Sequence, residues 1–189
     1  MIAMPPALET ALRCFVALLP DEATRTRLDA LGAELQRSLP GTRRVAAVNL
    51  HLTLVFIGAL PTSQASQLAA ALARTPAAPQ FDWALDQVGA FGGARVVFAG
   101  SAPDRVPLRL MALAEAVRGE LDGLGISSYD RKPFVPHVTL LRNVARADAA
   151  HLACSIEPPV HWRASAPRLM QSRRTSDGLR YLPIEATPT

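Results

Sequence analysis

The sequence predicts a globular fold in which strands and helices are mixed along the chain. Three observations carry this: strand-length apolar runs that stop at proline or glycine, stretches with leucines at helical spacing, and a Gly-Gly pair between two β-rich segments. The run Cys14-Phe15-Val16-Ala17-Leu18-Leu19 has the length of a buried strand and ends at Pro20. Asp21 can cap a helix in which Leu28, Leu31 and Leu35 recur on one face, with Arg25, Arg27 and Glu34 mostly outside. After Pro40-Gly41, the β-formers from Asn49 to Gly58 predict a second strand. Thr62 and Ser63 offer caps for an alanine-rich helix carrying Leu68 and Leu72, closed around Pro76 and Pro79. Phe81 to Phe91 and Arg95 to Ala99 flank Gly92-Gly93, a two-residue hairpin signal. From Asp104 onward Leu110, Leu113, Val117, Leu121 and Leu124 predict a further helix, which Gly125 can end. A strand over Phe134 to Leu141 follows, with weaker β candidates at Val160 to Leu169 and Leu179 to Ile184.

The chain has 189 residues, 49% apolar and 19% charged, which places it with globular proteins; residues 1–189 read as a single domain of one body or two intimate lobes. The net charge of +4, nearly all arginine with Lys132 the only lysine, favours anionic partners. Cys14 and Cys154 are too few and too far apart for a disulfide framework or a zinc site, and both are expected to be buried, reduced thiols. No signal peptide or membrane-length apolar run is present, so the expectation is a cytoplasmic protein without membrane contact, acting as a monomer.

Two of the four histidines stand in closely similar settings: Leu50-His51-Leu52-Thr53-Leu54 and Pro136-His137-Val138-Thr139-Leu140. Strand alternation puts each histidine and its threonine on one face and the apolar neighbours on the other. One such histidine is most simply a hydrogen-bonded structural residue. Two copies in one short chain argue for a shared purpose, because each buried polar pair costs free energy unless it is satisfied. A pair of imidazoles can supply the base and the acid that phosphodiester hydrolysis needs, and adjacent hydroxyls can donate to non-bridging phosphate oxygens.

The segments from Val45 to Leu54 and from Lys132 to Arg142 resemble the two signatures of the 2H phosphoesterase superfamily, in particular bacterial RNA 2′,3′-cyclic phosphodiesterases, also called 2′-5′ RNA ligases. Arg13-Cys14-Phe15-Val16-Ala17 is similar to that family's opening strand and Gly178-Leu179-Arg180-Tyr181 to its closing one. The resemblance implies an α+β, bilobal fold with pseudo-twofold symmetry, two antiparallel sheets lining a central cleft and helices outside. It implies His51 as proton donor to the 3′ leaving oxygen, His137 as proton acceptor from water, and a 2′-phosphomonoester product. Thr53, Thr139 and Arg142 are the implied phosphate contacts. Arg142 lies five residues after His137, so a strand end, bend or bulge must intervene for it to share the histidine's face. Implied substrates are RNA ends or oligonucleotides bearing a 2′,3′-cyclic phosphate, with no cofactor, no metal, and reversible ATP-independent 2′-5′ ligation as a second direction. Val48 departs from the acidic residue often found before Asn-Leu-His, which bears on the loop and not on catalysis.

Rival readings are weaker. No His-Glu-x-x-His helix or cysteine pair accompanies the histidines, which argues against a metal hydrolase, and Lys132 without a phosphate-binding Gly-Lys loop argues against an ATP-dependent ligase. A non-catalytic RNA-binding module leaves both His-x-Thr pairs unexplained, and small cyclic nucleotides remain an alternative substrate. His151 and His161 match neither motif, and core packing is the default for Phe15 and Phe98.

Overall fold

The computed structural model describes residues 10–74, 80–164, 166–176 and 178–186. Strand β1 (Ala11–Leu18) is buried without interruption from Cys14 to Leu18, because it runs inside a sheet with a neighbour on each side. Helix α1 (Glu22–Ser38) starts as expected, the Asp21 carboxylate accepting from the Thr24 N–H at 2.8 Å. A short β2 (Arg43–Arg44) precedes β3 (Leu52–Pro61), which begins later than the sequence suggests because residues Ala47–Asn49 form a 3₁₀ turn. Val48 is exposed on that turn. Helix α2 spans Thr62–Arg74, with Thr62 inside its first turn; the expected close at Pro76 and Pro79 lies outside the described residues.

Strands β4 (Phe81–Phe91) and β5 (Val96–Gly100) form the expected hairpin, but its loop is longer than two residues. The positive φ falls on Arg95 and not on the glycines, and Arg95 is held there by its Nε donating to the Val144 carbonyl at 3.0 Å. Helix α3 (Leu108–Gly123) starts after a 3₁₀ turn at Pro103–Arg105 and stops at Gly125, φ +70°. Strand β6 is only Val138–Arg142, since Pro133 and Pro136 have no N–H to give a ladder. After α4 (Arg146–His151) come β7 (Cys154–Ala164), β8 (Arg168–Thr175) and β9 (Gly178–Pro183), so the single candidate at 160–169 is the junction of two strands. Cys154, expected to be buried, is exposed at the start of edge strand β7; Cys14 is buried, and burial pushes its thiol up to about 11.

The strands run β7-β4-β5-β6-β3-β1-β8-β9, with β2 beside β6. The two expected sheets are the halves of this array, each antiparallel, and the only ladder pair joining β3 to β6 is Leu52 opposite Val138. Beyond that pair the strands part, and the Phe56 carbonyl accepts instead from the Asp130 N–H at 2.8 Å. Two helices cross between halves: α1 follows β1 but packs on β6 and β7, whereas α3 follows β5 but packs on β3; α2 stays against β1, β3 and β8.

Candidate active site

The His-x-Thr segments lie at the middle of the array, on β3 and β6 or the residue before each. Pairing on both strands slips by one residue at the same place. On β6, Thr139 is opposite Phe98 and Leu141 opposite Val97, leaving Leu140 as the extra residue of a bulge. On β3, Thr53 is opposite Ala17 and Val55 opposite Val16, leaving Leu54. A bulge resets the two-residue alternation, so the residue three beyond each threonine returns to the threonine's face. That residue is Arg142 on β6 and Phe56 on β3. The bulge that Arg142 required from sequence is therefore present, and Arg142 joins His51, Thr53 and Phe56 in the wall of a cleft of about 550 Å³.

Each imidazole is oriented by backbone. His51 Nδ1–H donates to the Asn49 carbonyl at 2.6 Å and His137 Nδ1–H to the Val135 carbonyl at 2.8 Å, since a carbonyl can only accept. Proton exchange is thus left to Nε2 on both rings. His51 Nε2 lies 3.1 Å from the Thr53 hydroxyl, whereas among the described residues the Thr139 hydroxyl has no hydrogen-bond partner. Burial pushes His51 down to about 4, against the lift from the Asn49 carbonyl, and the positive charges of Arg142 and a protonated His137 lower it further. Burial, then Arg142, also lowers His137.

Aromatic rings wall in both histidines. His51 lies between Phe15 at 4.9 Å and Tyr181 at 4.9 Å; His137 rests against Phe91 at 5.0 Å and Phe98 at 5.4 Å. Phe15 is buried as expected, yet its ring faces the imidazole as well as the core. Phe98 lies over Gly89, where an added Cβ would meet the ring at 2.5 Å, so only glycine leaves room for that shelf.

Sequence reasoning missed two residues here. Asn49 is buried and acts as a polar clamp: its Nδ2 donates to the Leu179 carbonyl at 2.8 Å and its Oδ1 accepts from the Tyr181 N–H at 3.2 Å, tying β9 to the backbone that holds His51. Its signal was the asparagine immediately preceding Leu-His. Arg43 stands directly opposite Arg142 across β2 and β6, a like-charge pairing that is unfavourable without an anion between, and among the described residues neither joins a salt bridge. No local sequence signal could give that pairing. His161 is exposed on β7 and, among the described residues, its side chain makes no hydrogen bond, while its backbone carbonyl accepts from the Thr24 hydroxyl at 3.2 Å; the His151 side chain lies outside the described ones. Among the described residues, no group of three or more His, Cys, Asp and Glu side chains is arranged to hold a metal, and no helix is long and apolar enough to cross a membrane.

The family model for the 2′-5′ RNA ligase superfamily matches residues 20–176. A relative from Thermotoga maritima, named RNA 2′,3′-cyclic phosphodiesterase, is 30% identical over 135 residues, covering 69% of this chain and 70% of that one. One of the same name from Escherichia coli is 38% identical over 105 residues, 56% of this chain, and the chain spans 57% of that relative's length. Among solved structures, E. coli LigT complexed with 3′-AMP superposes with a TM-score of 0.77 at 27% identity, covering 93% of this chain and 96% of that one. The complex of the same protein with ATP gives 0.74 at 26% identity, with the same coverage.

Proposed function

The chain belongs to the 2′-5′ RNA ligase superfamily, and from that premise we propose that it hydrolyses 2′,3′-cyclic phosphate ends of RNA to 2′-phosphomonoesters by metal-independent acid-base catalysis, with residues 1–189 acting as one bilobal unit. The observation that carries this reading is the matched pair of imidazoles, each with Nδ1 tied to a carbonyl two residues earlier and Nε2 left for proton exchange. His137 Nε2 takes a proton from water as the water oxygen bonds to phosphorus. The bond from phosphorus to the 3′ oxygen breaks, and that oxygen takes the proton of His51 Nε2. Thr53 and Thr139 donate to the non-bridging oxygens, and the Arg142 guanidinium binds them with charge-assisted hydrogen bonds. Which histidine is the acid follows the family pattern, since the two motifs alone are symmetric.

A buried imidazole held near 4 is neutral at pH 7, so His51 needs the anionic phosphate beside it to carry its proton. The acid is charged only when substrate is in place. With an RNA 5′-hydroxyl replacing water, the same displacement would make a 2′-5′ link without ATP. Incubating the protein with an oligonucleotide ending in 2′,3′-cyclic phosphate, with exhaustive chelation and phosphorus NMR of the product, tests the reading. A 2′-phosphate formed at undiminished rate is expected. Loss of activity on chelation that zinc or manganese restores would sink metal independence, and a 3′-phosphate alone would reverse the histidine roles.

A further inference from the structure

Arg43 and Arg44 are neighbours on β2 with different surroundings. Arg44 turns back onto α1, where its guanidinium is paired with the Asp29 carboxylate at 2.9 Å. Strand alternation sends Arg43 the other way. It stands opposite Arg142 and, among the described residues, joins no salt bridge. Two guanidinium groups facing one another across an antiparallel pair repel, and side chains without a shared task would swing apart into water. Both instead border the main cleft and a second, smaller cavity of about 150 Å³ that adjoins it between β2, β6 and β9. That volume is the space of roughly five waters at ~30 Å³ each, enough for one phosphate group. The small cavity shares Leu179 and Tyr181 with the cleft, but neither motif histidine, neither motif threonine and, among the described residues, no Asp or Glu lines it. Two forked donors converging on a space without acids, beside a phosphate site, are the arrangement that binds a further anion.

We propose that Arg43 and Arg142 together hold a second phosphate, the one on the 5′ oxygen of the nucleotide whose cyclic phosphate is opened, so that the enzyme favours a strand end over a lone cyclic nucleotide. The inference rests on the hydrolase reading above and narrows its substrate class. A 2′,3′-cyclic end occupies both of those ribose oxygens, so the strand continues only through the 5′ oxygen, and a second anion in the same ligand must be there. Arg142 then bridges two phosphates, the reacting one toward His51 and the next toward Arg43. Filling the cavity relieves the repulsion between the two guanidinium groups. Recognition of this kind reads the backbone and is blind to base sequence.

The test compares cytidine 2′,3′-cyclic phosphate having a free 5′-hydroxyl with the same nucleotide carrying a 5′-methyl phosphodiester, which adds one anion and no second base. The wild type should prefer the diester in kcat/KM. Arg43→Gln should cut that preference by about 5- to 15-fold, the worth of one partly screened charge-assisted hydrogen bond. Arg43→Lys, which keeps the charge without the fork, should retain part of it. Calorimetric binding of the two compounds should differ in the same way, which decides Arg43 even if neither is turned over and the hydrolase reading fails. No preference in the wild type, an unchanged ratio in a folded Arg43→Gln, or an equal loss on both compounds overturns the second phosphate site. A preference shown by the 5′-monophosphate and not by the methyl diester overturns the strand end. If Arg43→Gln does not fold, an undiminished preference in Arg43→Lys overturns the forked contact.

Discussion

His51 and His137 occupy equivalent places on bulged strands and differ in what their Nε2 atoms meet. His51 is the more enclosed, between Phe15 and Tyr181, with the Thr53 hydroxyl already 3.1 Å from Nε2 and its pKa pushed down to about 4. His137 sits on the Phe91 and Phe98 shelf, beside a threonine whose hydroxyl has no partner among the described residues. The first arm is internally satisfied and the second is open. Equivalent backbone can therefore place two rings in unlike surroundings; for His51 to serve as the acid opposite a neutral base, the anionic phosphate must lift its proton affinity, because burial alone lowers it.

The hardest blow to the comparison is removal of either ring. His51→Ala and His137→Ala should each lower kcat/KM by about 10²–10⁴-fold, and the double variant should lose far less than the product of the two. A folded His137→Ala with near-full turnover breaks the pairing outright. The pH profile sharpens it next. The base is disabled below the lower pKa of the free pair and the acid above the higher one; both lie below the ordinary 6.5. The kcat/KM bell should peak on the acid side of 6.5, and the kcat bell should move upward, because bound phosphate favours both charged imidazoles. A flat profile with chemistry rate-limiting is incompatible with the pair. The smallest effects separate the arms most finely. Thr53→Ala and Thr139→Ala should each cost about 2- to 13-fold in kcat/KM. Only Thr53→Ala should shift the NMR titration of its own histidine in the free protein, and equal shifts in both would remove the asymmetry.

What was legible in the sequence was local. Strand alternation put each histidine with its threonine, and the caps and stops at Asp21 and Gly125 were readable because their chemistry lies within a few residues. What was not legible depends on register between distant segments. The bulge at Leu140 brings Arg142 round, and its twin at Leu54 brings Phe56 round, but a bulge exists only against a partner strand. The same holds for Arg43 opposite Arg142 and for the Asn49 clamp on β9. Cys154 was misjudged because an edge strand leaves one side open, and edge status is a property of the whole sheet. The β7 and β8 segments merged in the reading because Ala164 and Arg168 are separated only by a brief break around Pro167.

The exchange of helices between halves has a mechanical consequence. With α1 seated behind β6 and β7 and α3 behind β3, the backing of each jaw is anchored in the other. β3 and β6 share a single ladder pair at Leu52 and Val138, a poor hinge by itself. Opening the angle between the jaws must slide α3 against β3, to which it does not connect directly, and must draw α1, which leads into β2 beside β6, away from the β1 that it follows. Cutting the chain between the halves would take α3 from β3 and α1 from β6 and β7, and with only α2 left on β1, β3 and β8 and α4 on β4, neither piece would keep the full backing of a domain in its own right.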